Sequence, residues 1–227
     1  MRMLVSVRSV DEALLAATAG ADFIDLKEPS AGALGALPLA TARAVVTALQ
    51  ALPQRPLISA TVGDFAPGAI VPVLERVAQT AACGVDYVKV GIAPGALELL
   101  HALAHCETAV VPVLIADAGV DAATLAHALR GPFPALMLDT QDKRGGSLLA
   151  RLDDAALRGF IERCRTAGKL AGLAGALRED DLPRLRGLAA DFAGFRSAVC
   201  SGPRTAALDP ARVRALREQL VAAEAAA

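Results

Sequence analysis

Lys and Arg together number 23, but only four are Lys, so the everyday cation of this chain is Arg and lysine is the exception. Three of those four, Lys27, Lys89 and Lys143, fall at or just beyond the ends of short apolar runs that read as β-strands, whereas Lys169 precedes such a run. A guanidinium keeps its proton near neutral pH. A partly desolvated ammonium beside another cation can lose it, and only the neutral amine attacks a carbonyl or accepts a proton. Asp25 stands two residues before Lys27, which strand alternation places on the same face, and Asp139 stands four before Lys143. Amines gathered around one mouth would depress each other's pKa, as Schiff-base chemistry requires, with Asp25 and Asp139 shuttling protons or holding an ammonium in place. The same lysines also read as phosphate-binding cations or as partners of neighbouring carboxylates.

A second group is built from small residues. The run 171–177 carries Gly172 and Gly175, and the run 195–202 carries Arg196 and Ser197. In a βα barrel, loops seven and eight commonly cradle a phosphate on backbone N–H groups, although tight turns alone also call for Gly. The stretch 142–147, Asp-Lys-Arg-Gly-Gly-Ser, reads as a closing lid or as an ordinary solvated loop. His101 and His105 are four apart, but they fall on an outer helix with no third ligand in view, so no metal site is expected.

The elements that must position these residues are legible as an alternation. Apolar runs at 3–7, 22–27, 57–62, 87–92, 110–116, 135–139, 170–174 and 192–197 predict strands. Each is followed by a stretch with helical spacing, at 10–19, 38–52, 70–83, 96–106, 122–129, 153–167, 179–187 and 210–225. Ser9, Asp121 and Asp209 stand where N-caps belong, Pro38 and Pro210 at helix starts, and Gly20, Gly84 and Gly168 near helix ends. Eight such units in 227 residues leave no room for a second domain, so the expectation is one α/β domain over 1–227, a single (β/α)8 TIM barrel. A doubly wound sheet would announce itself by Gly-x-Gly-x-x-Gly after the first strand, and the chain instead continues Val-Arg-Ser-Val-Asp.

Composition excludes several classes. Hydrophobic residues make up 54% and charged residues 21%, far from a disordered balance, and 23 basic against 24 acidic groups leave no nucleic-acid footprint. Apolar runs are interrupted well short of a membrane span, and Arg8 comes too early for a secretory leader. Cys83, Cys106, Cys164 and Cys200 lie far apart, as in a reduced cytoplasmic protein. Apolar helix faces leave self-association open.

Several segments resemble the (5-formylfuran-3-yl)methyl phosphate synthase family: Leu-Val-Ser-Val at 4–7, Asp-Leu-Lys-Glu-Pro-Ser-Ala-Gly-Ala-Leu-Gly at 25–35, Asp-Tyr-Val-Lys-Val-Gly at 86–91, Met-Leu-Asp-Thr-Gln-Asp-Lys at 137–143, and Gly-Leu-Ala-Gly at 172–175. The resemblance implies a TIM-barrel lyase of methanofuran-type biosynthesis. Such an enzyme condenses two glyceraldehyde 3-phosphate molecules with loss of water and one phosphate and needs no nicotinamide, flavin or metal cofactor. It also implies Lys27 as the Schiff-base lysine, Lys89 as proton acceptor, and Asp139 with Lys143 as an assisting pair. It assigns nothing to Thr61 or Asp117. The residues alone also fit a phosphosugar aldolase or isomerase, or a noncatalytic barrel binding a phosphorylated metabolite.

Overall fold

The alternating runs fold as strand–helix units in the computed structural model, which describes residues 1–117, 119–143 and 145–222. Arg144 of the 142–147 loop and the alanine-rich end at 223–227 lie outside the described residues. The order is β1 (Arg2–Val7), α1 (Val10–Thr18), β2 (Phe23–Leu26), α2 (Leu39–Gln50), β3 (Leu57–Thr61), α3 (Ile70–Ala81), β4 (Tyr87–Ile92), α4 (Leu97–Leu103), β5 (Val110–Ile115), α5 (Ala122–Arg130), β6 (Ala135–Asp139), α6 (Leu148–Arg151), α7 (Asp154–Thr166), β7 (Leu170–Leu173), α8 (Leu182–Leu188), β8 (Phe192–Phe195) and α9 (Pro210–Ala222). Every strand pairs in parallel with its sequence neighbours, and β8 closes on β1 from Arg2–Phe192 to Val5–Phe195, making a (β/α)8 barrel.

Two apolar layers hold it. On the outside, helices present residues at i, i+3, i+4 and i+7 to the strands: Ala42, Val45, Val46 and Leu49 from α2, and Leu157, Phe160, Ile161 and Cys164 from α7. Each fully buried Val, Leu, Ile or Phe contributes roughly 1.5–3 kcal/mol. Inside, Leu4, Phe23, Val111, Ala135, Met137 and Phe192 fill the amino-terminal part of the barrel, with the Phe23 and Phe192 rings 5.4 Å apart. Ser9 and Asp121 cap α1 and α5 as expected, accepting from Glu12 N at 3.2 Å and Thr124 N at 2.7 Å. Asp209 accepts from Ala211 N at 2.8 Å at the start of α9. Pro38 occupies the cap position of α2 itself.

The amino-terminal rim is pegged by carboxylates. Asp22, Asp86 and Asp191, each just before an even-numbered strand, accept the backbone N–H of Met3, Ile58 and Ala171 on the preceding strand, all at 2.7 Å. Between β6 and β7 the peg is Lys169, whose Nζ donates to Gly131 O at 2.7 Å and Phe133 O at 2.8 Å. The fourth lysine therefore belongs to the rim opposite the other three.

Several boundaries differ from the sequence reading, two of them at the site. β2 ends one residue before Lys27, yet Lys27 N still donates to Val7 O at 3.0 Å, so the alternation carries through. β8 ends two residues early because Arg196 turns out of the strand into a single 3-10 turn over Ser197–Val199. The one-turn helix α6 is too short to show a period.

Candidate active site

The carboxyl ends of the strands open into a small cavity. Lys27, Lys89, Lys143, Asp25 and Asp139 all line it, so the five side chains expected to do chemistry meet in one place. Register explains the depth of each. Ser6, Asp25 and Ser59 are paired across β1, β2 and β3, forming one inward layer. Lys27 lies one alternation higher.

Two ion-pair systems result. In the deeper one, Lys89 Nζ donates to Asp25 Oδ1 at 2.9 Å, and the same carboxylate accepts Ser59 Oγ at 2.7 Å and Ser6 Oγ at 3.0 Å. In the upper one, Asp139 stands between Lys27, at 3.4 Å from its Nζ, and Lys143, whose ammonium bonds the other oxygen directly. Thr140 N adds a bond to Asp139 at 2.7 Å. Burial by itself would raise the Asp139 pKa, but Lys27, Lys143 and the Thr140 amide together hold it at about 2. It is too weak a base to collect a proton near neutrality, so of the two roles open to it, holding ammonium groups is the one its surroundings favour. Lys143 goes the other way. Burial outweighs the attraction of Asp139, Lys27 and Arg204 repel the ammonium, and its pKa falls to about 8.

The residues expected around a phosphate separate. Gly175, Arg196 and Ser197 line the cavity. Gly172 does not: a side chain there would collide with the Phe192 ring, so this glycine makes room for the inner core. Arg196 reaches the lining but its guanidinium is committed, forming a buried pair with Glu12 at 2.5 Å and bonding the carbonyls of Ser6, Arg204 and Ala206.

The loops around the site are fastened by side-chain hydrogen bonds. Thr61 Oγ1 donates to Gly35 O at 2.9 Å and Leu26 O at 3.3 Å, fastening the 28–35 loop. Leu34 from that loop folds over the barrel against Gly91, where any side chain would meet it. Asp117 accepts Gln141 N at 2.5 Å and Asp142 N at 2.9 Å, anchoring the segment that carries Lys143. Thr61 and Asp117 thus support loops rather than line the cavity. Sequence reasoning missed Ser6 and Arg204 as lining residues. Ser6 was detectable as a polar residue at an inward position of β1; Arg204 lies two residues past the 195–202 run.

Comparison with known proteins identifies the family. The family model of 4-HFC-P synthase matches residues 3–217. A protein of Methylorubrum extorquens, provisionally named a (5-formylfuran-3-yl)methyl phosphate synthase, is 41% identical over 215 residues, covering 93% of this chain and 88% of that one. The (5-formylfuran-3-yl)methyl phosphate synthase of Methanopyrus kandleri is 35% identical over 217 residues, covering 88% and 89%. Among solved structures, phosphoribosyl anthranilate isomerase from Thermus thermophilus superposes with a TM-score of 0.66 over 98% of this chain and 99% of that one, at 18% identity, a likeness of fold alone. With the family model matching residues 3–217 and relatives of 41% and 35% identity covering 93% and 88% of its length, this chain belongs to the 4-HFC-P synthase family.

Proposed function

We propose that this protein condenses two molecules of glyceraldehyde 3-phosphate into (5-formylfuran-3-yl)methyl phosphate through a Schiff base on Lys27, as a cytoplasmic lyase of methanofuran-type cofactor synthesis. Loss of one phosphate and two waters balances two trioses against the furan. The observation that carries the reading is the meeting of Lys27, Lys89 and Lys143 in one cavity where, among the described residues, Asp25 and Asp139 are the carboxylates paired with them. That surplus of positive charge suits anionic trioses.

In this reading the Lys27 amine adds to the carbonyl of the first triose, and water leaves to give an imine. The imine acidifies the adjacent C–H. Lys89 in its neutral form, still donating an Nζ–H to Asp25, takes that proton and becomes the ammonium of the ion pair, and the resulting enamine attacks the carbonyl of the second triose, forming the carbon–carbon bond. Lys143 donates a proton as phosphate departs, with Asp139 holding its ammonium beside the imine nitrogen; dehydration then closes the ring to an aromatic furan. Hydrolysis of the imine returns Lys27.

Borohydride reduction in the presence of glyceraldehyde 3-phosphate, followed by mass spectrometry, should fix one triose-derived adduct on Lys27. The product should show the ultraviolet absorbance of a furan aldehyde, which triose and pentose phosphates lack. K27A should lose both. An adduct on another lysine would overturn the assignment.

A further inference from the structure

Loop eight supplies two arginines to the cavity, and their surroundings are opposite. Arg196 has nothing left to offer a ligand. Its Nε donates to Arg204 O at 2.8 Å, Nη1 to Ser6 O at 3.1 Å and Glu12 at 2.5 Å, and Nη2 to Glu12 at 3.1 Å and Ala206 O at 2.7 Å. Five donors meet five acceptors.

Arg204 is half-buried in the cavity lining with Lys143, Ala176 and Ser197. Among the described residues its guanidinium makes one hydrogen bond, from Nη2 to Gly32 O at 3.4 Å, and no ion pair. The remaining N–H groups stay available beside the amides of Gly175, Ala176 and Ser197, which meet no protein acceptor among the described residues. Partly desolvated, permanently charged and rich in free donors, such a group suits a phosphate monoester.

We propose that Arg204 receives a phosphate of the substrate, and that Arg196 is a positioning residue which, braced by Glu12, pins the backbone at 204 and 206 so that Arg204 faces the cavity. The identity of that phosphate ester as a triose phosphate rests on the proposed furan synthesis. The phosphate contact itself does not.

The test titrates the full chain with inorganic phosphate by calorimetry. In parallel it measures borohydride capture of glyceraldehyde 3-phosphate and of unphosphorylated glyceraldehyde, for wild type, R204A and the near-isosteric, uncharged R204Q. Loss of Arg204 should weaken phosphate binding on the order of ten- to hundredfold and raise the half-saturating triose phosphate concentration by a similar factor, with capture of unphosphorylated glyceraldehyde unchanged. E12Q should weaken phosphate binding in the wild-type background and add nothing to R204A. Equal losses for both aldehydes would make Arg204 a mere clasp between loops two and eight and overturn the proposal, as would unchanged phosphate affinity. If R204A proves unfolded, R204Q decides. A wild type that captures triose phosphate but releases no furan would refute the proposed synthesis while leaving Arg204 to be judged by the phosphate titration.

Discussion

At the scale of single residues, the site works by giving similar side chains different surroundings. Asp139 and Lys143 touch, yet the carboxylate is stabilised as an anion at about 2 while the ammonium is weakened to about 8. If the Lys143 ammonium protonates the departing phosphate, turnover should fall as pH rises through about 8. K143A should lack this alkaline limb and run ~10²–10⁴-fold slower, as a pH profile of kcat would show. For stability the sign at Asp139 is that of a lowered acid. Its contribution is complete above the ordinary 3.8 and is lost as pH falls toward about 2. Arg196 gives a different expectation. R196A strands the buried Glu12 carboxylate and should cost about 3–5 kcal/mol, a drop in Tm of roughly 6–20 °C by calorimetry for a chain of this size. Which arginine meets a ligand could not be read from the sequence, because the partner that occupies Arg196 stands 184 residues away on α1. Lys27 and Lys89 were legible because strand alternation decides which way they face, whereas Lys143 sits on the loop after β6.

At the scale of elements, the loop after β2 shows why Gly35 and Gly91 sit where they do. At Gly35 an added Cβ would strike the Glu28 carbonyl and Ala31 backbone, which cannot step aside. At Gly91 it would strike the tip of Leu34, a flexible side chain. G35A should therefore destabilise the protein by about 1–3 kcal/mol, and more than G91A does, in paired denaturant titrations. Equal effects would mean that the loop is held by side chains rather than by its backbone. The sequence marked both glycines within family motifs without distinguishing backbone contact from side-chain contact. The same limit explains Gly172 and Gly175. Both fall in one small-residue run, but Gly172 yields space to Phe192 from within β7, whereas Gly175, at φ 105° beyond the strand end, reaches the cavity.

At the scale of the whole molecule, the eightfold alternation was legible because parallel strands buried on both faces stay apolar while their crossover helices keep a 3.6-residue period. Strand ends were less so, since the hydrogen-bond ladder and the apolar run need not stop together, as at Arg196. The division of the barrel interior into an apolar lower part and a charged upper part arises from inward residues of the same strands: Phe23 below Asp25 and Lys27, Tyr87 below Lys89, Ala135 and Met137 below Asp139. F192A should empty part of the lower layer and cost about 3–5 kcal/mol in denaturant titration, while the Lys27 adduct still forms. Loss of the adduct at preserved folding would show that the aromatic layer also shapes the chemistry.

That aromatic layer gives the site a floor. The Phe23 and Phe192 rings, 5.4 Å apart, pack the layer beneath the charged groups, so in the proposed reaction both incoming sugars, the expelled anion and the finished ring share the mouth at the carboxyl ends of the strands. A first guest tied covalently to the wall cannot drift out while the second comes in, so the tether at position 27 would serve traffic order as well as reactivity.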